Sequence, residues 1–281
     1  MKKLVGDIGG TNTRIAIAEN NKLLITKNFK TKQTDTISAI KKILTKDTKK
    51  IILACAGPIK NNICFSDKNY ININGKEIEK ITGLTTKLIN DFEAIAKGLS
   101  LLEQNDYITL KKGIETGITL IIGPGTGLGV SIIKNKQTKA TELGHTKYSP
   151  LKKYEETKKI IKQFRKKEFL EMEDYVSGEG IENLYNYYKQ KELSADKIAR
   201  KRNICKSAKK TFEAFFELYA DVILKLIKKT NANRVILVGN ITNQYLEDLE
   251  KRSFLKNFDN YKGSIKVVKR LDVGLLGATK I

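Results

Sequence analysis

Two glycine-rich runs, each placed directly after an apolar segment, most constrain how this chain of 281 residues can fold. Residues 7–12 read DIGGTN and follow the apolar pair Leu4 and Val5, while residues 123–129 read GPGTGLG and follow the apolar run 118–122. Short apolar runs bounded by glycine are typical of buried strands. We therefore predict a tight turn at the end of a strand in each half of the chain.

A glycine turn at a strand end is suited to holding a phosphate group. Glycine allows the backbone close to the anion, and its access to positive φ lets successive N–H groups point at it. Threonine adds a hydroxyl donor, and an aspartate at the strand end can hold magnesium through water. Neither run matches a P-loop or the GxGxxG pattern, and ordinary hairpin turns are the alternative. The pair of turns favours a phosphotransferase that holds a nucleotide.

The chain is strongly basic, with a net charge of +22. Nucleic-acid recognition tends to use the planar group of arginine, but only seven of the 53 basic residues are arginine. The lysines are scattered, with one dense region at 152–167. We interpret the charge as a solvated lysine surface and expect no nucleic-acid partner.

The rest of the composition indicates a protein of the cytoplasm. Apolar residues make up 40% of the chain, and no run approaches the roughly 18 apolar residues of a membrane span. Met1-Lys2-Lys3 leads at once into the first apolar segment, so we expect no secretory signal. The three cysteines (Cys55, Cys64, Cys205) lack metal-ligand spacing, which predicts a reducing environment and no structural zinc.

Strand and helix patterns alternate in the first hundred residues, which predicts an α/β layer with a mixed sheet. Either Thr34 or Asp35 is expected to cap the first helix, and Gly83 to stop the second. The predicted strands are 4–7, 13–18, 23–29, 51–56 and 88–89, and the predicted helices are 34–44, 74–81 and 92–99.

A second unit is expected to begin near residue 100. Aromatic residues recur at helical spacing within a long helix predicted over 204–229, which indicates core packing. They are Phe212, Phe215, Phe216 and Tyr219. The other predictions are strands at 118–122, 130–133 and 235–238, mainly helical structure over 150–230, and a final small-residue helix at 273–278.

Asn90 and Asp91 stand at the carboxyl end of a predicted strand, where open α/β sheets bind ligands. Asp91 could accept a proton from an attacking hydroxyl while Asn90 orients the alcohol, since phosphoryl transfer mainly requires positioning and charge stabilisation. The alternative is that Asp91 only caps the following helix. The two interpretations are compatible, because a helix N-terminus also favours anions.

Residues 142–145 read ELGH and contain the single histidine of the chain. Glu142 and His145 lie three residues apart on a turn that contains glycine, so both could bind hydroxyl groups of one polyol. A structural or simply exposed histidine is the alternative. A zinc site is not expected here, because no cysteine cluster follows.

Together these motifs resemble the bacterial ATP-dependent glucokinase family, a non-zinc branch of the hexokinase and actin-like ATPase superfamily. The resemblance extends over nearly the whole chain, in the family's order. It implies an α/β, two-lobed actin-like ATPase (ribonuclease H-like) fold with mixed sheets flanked by helices and a sugar in the cleft. We expect a small lobe of 1–99 with 270–281 and a large lobe of 100–269 with a helical C-terminal half. The motifs are DIGGTNTR at 7–14, AGPI at 56–59, INDF at 89–92, the run 123–129, ELGH at 142–145 and GLLG at 274–277.

The resemblance also implies an activity, the transfer of the γ-phosphate of ATP to the 6-hydroxyl of glucose, as in the first step of glycolysis. It implies that Asp91 is the general base and that Asn90, Asp91, Glu142, His145 and Glu173 bind the sugar. Glu173 takes this role because it precedes Ser177-Gly178 by four residues, with a solvated acidic helix start as the alternative. The residues expected to hold ATP are Asp7, Gly9, Gly10, Thr11, Asn12, Gly125, Thr126, Gly127 and Gly239, with Mg²⁺ bound to Asp7 through water.

The chain departs from the family pattern at Asn240, which stands where the family has a second glycine beside the adenine. It also lacks cysteines at 150–170, where related zinc-containing kinases and repressors carry them. Two alternatives stay open, a kinase for fructose, mannose or an amino sugar, and a non-catalytic descendant that binds sugar or nucleotide. Kinases of this fold often dimerise through the large lobe, so a homodimer is also considered.

Overall fold

The computed structural model describes residues 1–67, 69 and 71–281. Its contacts divide the chain into two compact units. Unit 1 comprises 1–106, 138–140 and 270–281, and unit 2 comprises 107–137 and 141–269. None of the described helices combines the length and the apolar character that crossing a membrane requires.

Runs of strands and runs of helices follow one another along the chain. The strands are β1 Lys3–Ile8, β2 Asn12–Glu19, β3 Lys22–Lys30, β4 Lys50–Cys55, β5 Ile59–Lys60, β6 Ile63–Ser66, β7 Ile71–Asn74, β8 Thr86–Asn90, β9 Tyr107–Lys111, β10 Thr119–Pro124, β11 Leu128–Lys134, β12 Gln137–Thr141, β13 Arg234–Leu237 and β14 Ser264–Val268. The α-helices are α1 Thr36–Lys41, α2 Gly75–Thr82, α3 Asp91–Gly98, α4 Glu155–Arg165, α5 Gly178–Lys189, α6 Ala195–Arg200, α7 Lys206–Thr230, α8 Asn240–Gln244, α9 Leu246–Glu250, α10 Arg252–Leu255 and α11 Val273–Thr279. Short 3-10 helices lie at Thr31–Gln33, Leu99–Leu101, Gln104–Asp106, Leu143–His145, Lys152–Tyr154, Met172–Asp174 and Lys256–Phe258.

Unit 1 is built around a five-stranded sheet of order β3-β2-β1-β4-β8, beside a small sheet of order β5-β6-β7. β1 pairs antiparallel with β2 and parallel with β4, which in turn pairs parallel with β8. The register places Ile8, Cys55 and Asn90 in one row at the last positions of the three parallel strands. The carboxyl ends of these strands therefore meet at one edge, where α/β sheets bind ligands.

Both faces of the five-stranded sheet are covered at β4, which explains the unbroken apolar run of that strand. Leu53 packs into a hydrophobic cluster with residues of α1 and α2, and Ala54 packs into a second cluster with residues of α3 and α11. α3 and α11 are in very close contact, since a Cβ on Gly277 would lie 1.6 Å from the carbonyl oxygen of Ala94. Glycine at 277 is therefore required by this packing.

Unit 2 repeats much of this topology on a six-stranded sheet of order β12-β11-β10-β13-β14-β9. β10 pairs antiparallel with β11 and parallel with β13, which pairs parallel with β14. β1 and β10 thus occupy equivalent positions, and the glycine runs at 9–11 and 125–127 form equivalent hairpin connections. The alternative that these runs are hairpin turns is correct for the backbone. A hairpin backbone neither supports nor excludes binding of a phosphate group.

The helices of unit 2 form a core around α7. Phe212, Phe215, Phe216 and Tyr219 are each at most 7% exposed, which confirms that the aromatic spacing marks core packing. In unit 1 the cap of α1 is Asp35, whose side chain accepts the Ser38 N–H, and not Thr34.

Candidate active site

The first glycine run forms a hairpin that is held in place by hydrogen bonds to neighbouring backbone atoms. The Gly9 N–H donates to the Asn12 carbonyl at 3.0 Å. Thr31 follows β3, donating its N–H to the Thr11 carbonyl at 3.1 Å and its hydroxyl to the Gly9 carbonyl at 2.7 Å. Gly10 at the tip is half-buried and Thr11 is exposed. The loop is therefore ordered by the protein itself, with its tip at the surface.

Asp7 presents a mostly buried carboxylate near the end of β1. Its side chain is 17% exposed, and Nη1 of Arg14 lies 3.2 Å from Oδ2. Burial raises the pKa of Asp7, and the charge and hydrogen bond of Arg14 oppose that rise. A Cβ on Gly274, at the start of α11, would lie 3.3 Å from Cγ of Asp7. Glycine at 274 therefore leaves room beside the carboxylate.

Asn90 ends β8 and caps α3. Its Oδ1 accepts the N–H groups of Phe92 and Glu93 at 2.9 and 3.2 Å, and its Nδ2 donates to the Gly57 carbonyl at 3.2 Å. The cap is therefore Asn90, so capping is not the role of Asp91. Asp91 is the first residue of α3 and is half-buried, with Oδ1 accepting the Phe92 N–H at 3.0 Å.

Asp7 and Asp91 lie at the same edge of the five-stranded sheet, on either side of the end of β4. The register that aligns Ile8, Cys55 and Asn90 requires this placement. The pKa of the buried Cys55 thiol is raised chiefly by its hydrogen bond with Cys64, then by burial and by the charges of Asp91 and Asp7. Unit 1 thus brings two carboxylates to the edge where a ligand is expected.

The second glycine run joins β10 to β11 and contacts the start of α5. The Gly125 N–H donates to the Gly127 carbonyl, and the Gly178 N–H donates to the Gly125 carbonyl, both at 2.8 Å. Gly125 is exposed, and Thr126 and Gly127 are half-buried. A Cβ on Gly125 would meet no atom within 4 Å, so the fold does not require glycine there. What glycine provides is open space at the turn.

Glu173 connects this loop to α5. Its side chain is only 7% exposed, and its Oε2 accepts the Leu128 N–H at 3.3 Å. The Ser177 hydroxyl donates to the Glu173 carbonyl at 2.7 Å and caps α5 by accepting the Gly180 N–H at 3.0 Å. Glu173 is therefore a fixed, buried carboxylate, and the alternative of a solvated acidic helix start is wrong.

Three carboxylates surround the imidazole of His145. Oε2 of Glu142 lies 3.6 Å from Nε2. Oε2 of Glu171 and Oε1 of Glu173 lie 3.4 and 3.6 Å from Nδ1. The structure brings Glu142, His145 and Glu173 together and adds Glu171, while their role in binding sugar stays a prediction.

The spacing of this cluster also suits a cation, because single ligand atoms of His145, Glu171 and Glu173 lie within 4.8 Å of one another. However, Nζ of Lys167 lies 2.9 Å from Oε2 of Glu171. An ammonium group at this distance repels a second cation. Lys167 therefore weighs against a cation at this cluster.

Gly239 and Asn240 follow β13. Gly239 has φ +96°, which favours glycine, and a Cβ there would lie 3.5 Å from the Pro124 carbonyl. Gly239 thus lies beside the second glycine run. Asn240 is the first residue of α8 and is exposed, so the helical backbone accepts its side chain. The contacts expected for adenosine stay a prediction.

A family model described as glucokinase matches residues 4–280 of this chain. The chain belongs to the glucokinase family. Among the curated relatives, the glucokinase of Neisseria gonorrhoeae is 28% identical over 283 aligned residues, which cover 92% of this chain and 85% of the relative. The resemblance drawn from the motifs is therefore confirmed, and so is the expected enzyme class.

Solved glucokinase structures share the fold. The glucokinase of Balamuthia mandrillaris, in complex with glucose, has a TM-score of 0.81 and 22% identity, covering 99% of this chain and 92% of that one. A ROK family glucokinase of Streptomyces griseus, in complex with glucose and AMPPNP, has a TM-score of 0.74 and 16% identity, covering 100% and 98%. The expected fold class, α/β with mixed sheets flanked by helices in the actin-like kinase fold, is confirmed.

The glucokinase family acts with a nucleotide, generally with Mg²⁺, and Asp7 fits such an ion. Mg²⁺ prefers carboxylate oxygens and keeps several water ligands. Asp7 supplies a mostly buried carboxylate whose charge Arg14 only partly balances, and Gly274 leaves space beside it. A cation would relieve the desolvated charge.

Arg14 and Glu171 are polar neighbours of the expected site residues, and the sequence motifs indicate no role for either. Arg14 is the direct cross-strand partner of Asp7 in the β1–β2 hairpin. A turn of known length between the two strands fixes that pairing, so the register could have identified Arg14. Glu171 precedes Glu173 by two residues, and no local pattern signals that both face one imidazole.

Gly125→Ala tests whether this glucokinase-family loop binds phosphate. Because a Cβ fits at 125 without contacts, we expect the melting temperature to stay the same or rise slightly. We expect the KM for ATP to rise about tenfold, since the methyl group occupies space at the turn. Melting curves and steady-state kinetics check both. An unchanged KM for ATP at normal stability would contradict the assignment of this loop.

Proposed function

We propose that this protein is an ATP-dependent hexose kinase that transfers the γ-phosphate of ATP to the 6-hydroxyl of glucose, giving glucose 6-phosphate and ADP. Membership of the glucokinase family supports the reaction class. The observation that carries the mechanism is the position of Asp91 at the carboxyl end of β8, on the sheet edge that also holds Asp7. The relatives solved with glucose and with AMPPNP support the choice of substrates.

In the proposed reaction Asp91 is the base. Its carboxylate takes the proton of the 6-hydroxyl, and the sugar oxygen forms a bond to the γ-phosphorus. The bond from that phosphorus to the bridging oxygen breaks, and ADP leaves. Such a transfer requires positioning and charge stabilisation more than covalent participation by the protein. One carboxylate base at Asp91 is therefore sufficient.

The glycine runs at 9–12 and 125–127 are assigned to the phosphates of ATP, together with Gly239. The N–H groups of Gly9 and Gly125 donate to carbonyls within the turns, so the other backbone N–H groups of the runs are the ones assigned to anionic oxygens, at little cost in reorganisation because the loops are already fixed. Mg²⁺, when bound near Asp7, would offset the charge on the phosphates. Arg14 holds the Asp7 carboxylate in place for that purpose.

The residues assigned to the sugar are Asn90, Asp91, Glu142, His145 and Glu173. Glu142 and Glu173 offer carboxylate oxygens, which accept hydrogen bonds and cannot donate them when ionised. A ligand that meets them must therefore donate, as each hydroxyl of a hexose can. Loss of one donating hydroxyl leaves a polar group of the protein unpaired, which is how such sites discriminate.

We also propose a cytoplasmic location and a role in glycolysis. The donor, ATP, is an intracellular metabolite. Cys55, Cys64 and Cys205 are all free thiols, which is common in a reducing compartment. Fractionation of cells that express the protein tests the location.

A hexose panel tests the proposed function directly. ADP release from MgATP is followed with glucose, fructose, mannose, glucosamine and 2-deoxyglucose, and with Asp91→Asn as the blank. We expect the highest kcat/KM with glucose and strict dependence on Mg²⁺. Preference for another hexose by more than about tenfold would reassign the substrate within the same mechanism. Sugar binding by calorimetry without ADP release from any hexose would refute the kinase assignment.

A further inference from the structure

The proposed reaction gives no role to Glu171, although its carboxylate is the one nearest to the imidazole of His145 among the three that surround it. Its Oε2 lies 3.4 Å from Nδ1 of His145, against 3.6 Å for the nearest oxygen of Glu173. Its side chain is 18% exposed, whereas that of His145 is 49% exposed. Glu171 is therefore the less exposed partner of this contact.

The position of Glu171 is fixed by its neighbours. Nζ of Lys167 donates to Oε2 of Glu171 at 2.9 Å and to both oxygens of Asp174 at 3.0 and 3.1 Å. The Glu171 N–H in turn donates to Oδ2 of Asp174 at 2.8 Å. Lys167 thus balances the charge of Glu171, and Asp174 holds its backbone.

We propose that Glu171 is a positioning residue that determines which nitrogen of His145 carries the proton. On this view Nδ1–H donates to Glu171, so the neutral ring presents Nε2 as a hydrogen-bond acceptor on the side of Glu142. The inference rests on the proposed function for its consequence in sugar binding. The tautomer itself does not depend on that function.

The chemistry follows from the two nitrogens of a neutral imidazole. One carries hydrogen and the other a lone pair, and the partner of the first determines the role of the second. With Nδ1–H held by Glu171, Nε2 joins the carboxylates of Glu142 and Glu173 as an acceptor. The three together form a surface that only hydrogen-bond donors can satisfy, such as the hydroxyl groups of a hexose.

The carboxylates around the ring favour opposite tautomers, with one at Nε2 and two at Nδ1. Glu142 lies at Nε2, and Glu171 and Glu173 lie at Nδ1. Behind them, Lys167 and Arg165 contact Asp174. Without Glu171 we expect the Nε2–H form to gain population, because Glu142 at Nε2 is then opposed at Nδ1 by Glu173 alone, at the same distance of 3.6 Å. In that form Nε2 does not accept a hydrogen bond from the sugar.

The single histidine allows a direct test without assignment of other signals. Protein labelled with ¹⁵N-histidine is measured by NMR above about pH 8.5, where an ordinary imidazole is neutral, with EDTA present to remove metal ions. We expect the wild type to show the Nδ1–H tautomer. We expect Glu171→Ala to show a shift to Nε2–H. The control Glu168→Ala, an exposed residue three positions earlier, should match the wild type.

Two outcomes overturn the proposal. A wild type in the Nε2–H form does so without any variant, so the test survives if Glu171→Ala fails to fold. A Glu173→Gln variant that changes the tautomer, while the isosteric Glu171→Gln and the Ala variant do not, assigns the role to Glu173 instead. Neither result bears on whether the protein phosphorylates a sugar.

Kinetics tests the consequence for sugar binding. We expect Glu171→Ala to raise the KM for glucose about tenfold, the upper end of the effect of one hydrogen bond. The KM for ATP should stay within about twofold, because the change is confined to the sugar site. Glu168→Ala should leave both unchanged. An equal rise in both KM values would indicate a general structural role for Glu171 and contradict the proposal.

Discussion

Replacing Asp91 with asparagine is expected to lower kcat by about 10²–10⁴-fold while the protein still binds its sugar. Asparagine keeps an oxygen that can accept the Phe92 N–H, the contact that Oδ1 of Asp91 makes at 3.0 Å. It also leaves Asn90 as the cap of α3. The helix should therefore persist, and the loss is that of a proton acceptor used only in the transition state.

An assay of ADP release and calorimetry of glucose binding together check this expectation. Glu93→Gln is the matched control, since it removes one carboxylate from the same first turn of α3. It should lose only a weak contact with Lys97 at 3.6 Å and keep its turnover. Near-normal turnover in Asp91→Asn, or an equal loss in both variants, would remove Asp91 from the role of base.

Much of the fold could be predicted because local signals and tertiary structure agree. The strand predicted at 51–56 is β4, which is buried on both faces and therefore reads as an unbroken apolar run. The helix predicted at 74–81 is α2, which begins after the Asn74 cap and ends at Gly83 with φ +69°. Caps and breakers of this kind act within a few residues, so the sequence displays them.

Other elements lack such signals. β14, Ser264–Val268, is entirely buried. The sequence does not predict this strand, because Lys266 interrupts the apolar residues within its five positions. β5, β6 and β7 form a small sheet from strands of two to four residues, too short for a periodic pattern. Their pairing is decided by contacts between strands, which a single sequence does not show.

The residues of the candidate site also fall into two groups, those that local motifs identify and those that only tertiary contacts reveal. The glycine runs and Asn90-Asp91 follow strands and are local motifs, so the sequence identifies them. Arg14 beside Asp7, and Glu171 beside His145, are contacts across a hairpin and across 26 residues of chain. The repeated topology of the two sheets is likewise invisible in the sequence. It explains why two similar glycine runs occur at equivalent strand ends.

Replacing Asp7 with asparagine should lower activity with MgATP and, at neutral pH, raise the stability of the ligand-free protein. We expect kcat/KM for MgATP to fall at least about 100-fold, because the variant loses the anionic ligand assigned to Mg²⁺, a contribution of several kcal/mol to phosphoryl transfer. MgATP should raise the melting temperature of the wild type by mass action and that of the variant much less. Equal stabilisation of both by MgATP would exclude Asp7 from the nucleotide site.

The stability of the ligand-free variant should change in the opposite direction. Burial raises the pKa of Asp7 above its ordinary 3.8, so the folded state binds this proton more tightly than the unfolded chain. Its contribution to the free energy of unfolding therefore falls as pH rises from 3.8 through the folded pKa, and the penalty is complete at neutral pH. Asp7→Asn should accordingly raise the free energy of unfolding at neutral pH and lose this advantage in acid.

Asp272→Asn provides the control with the opposite sign. The hydrogen bond with Arg270 lowers the pKa of Asp272, so its ionised form stabilises the fold above the ordinary 3.8 and that contribution is lost as pH falls below it. Asp272→Asn should therefore lower the free energy of unfolding at neutral pH. Denaturant titrations of both variants at neutral and acid pH measure the pair. A destabilised Asp7→Asn protein at neutral pH would mean that the ion pair with Arg14 outweighs the burial of the charge.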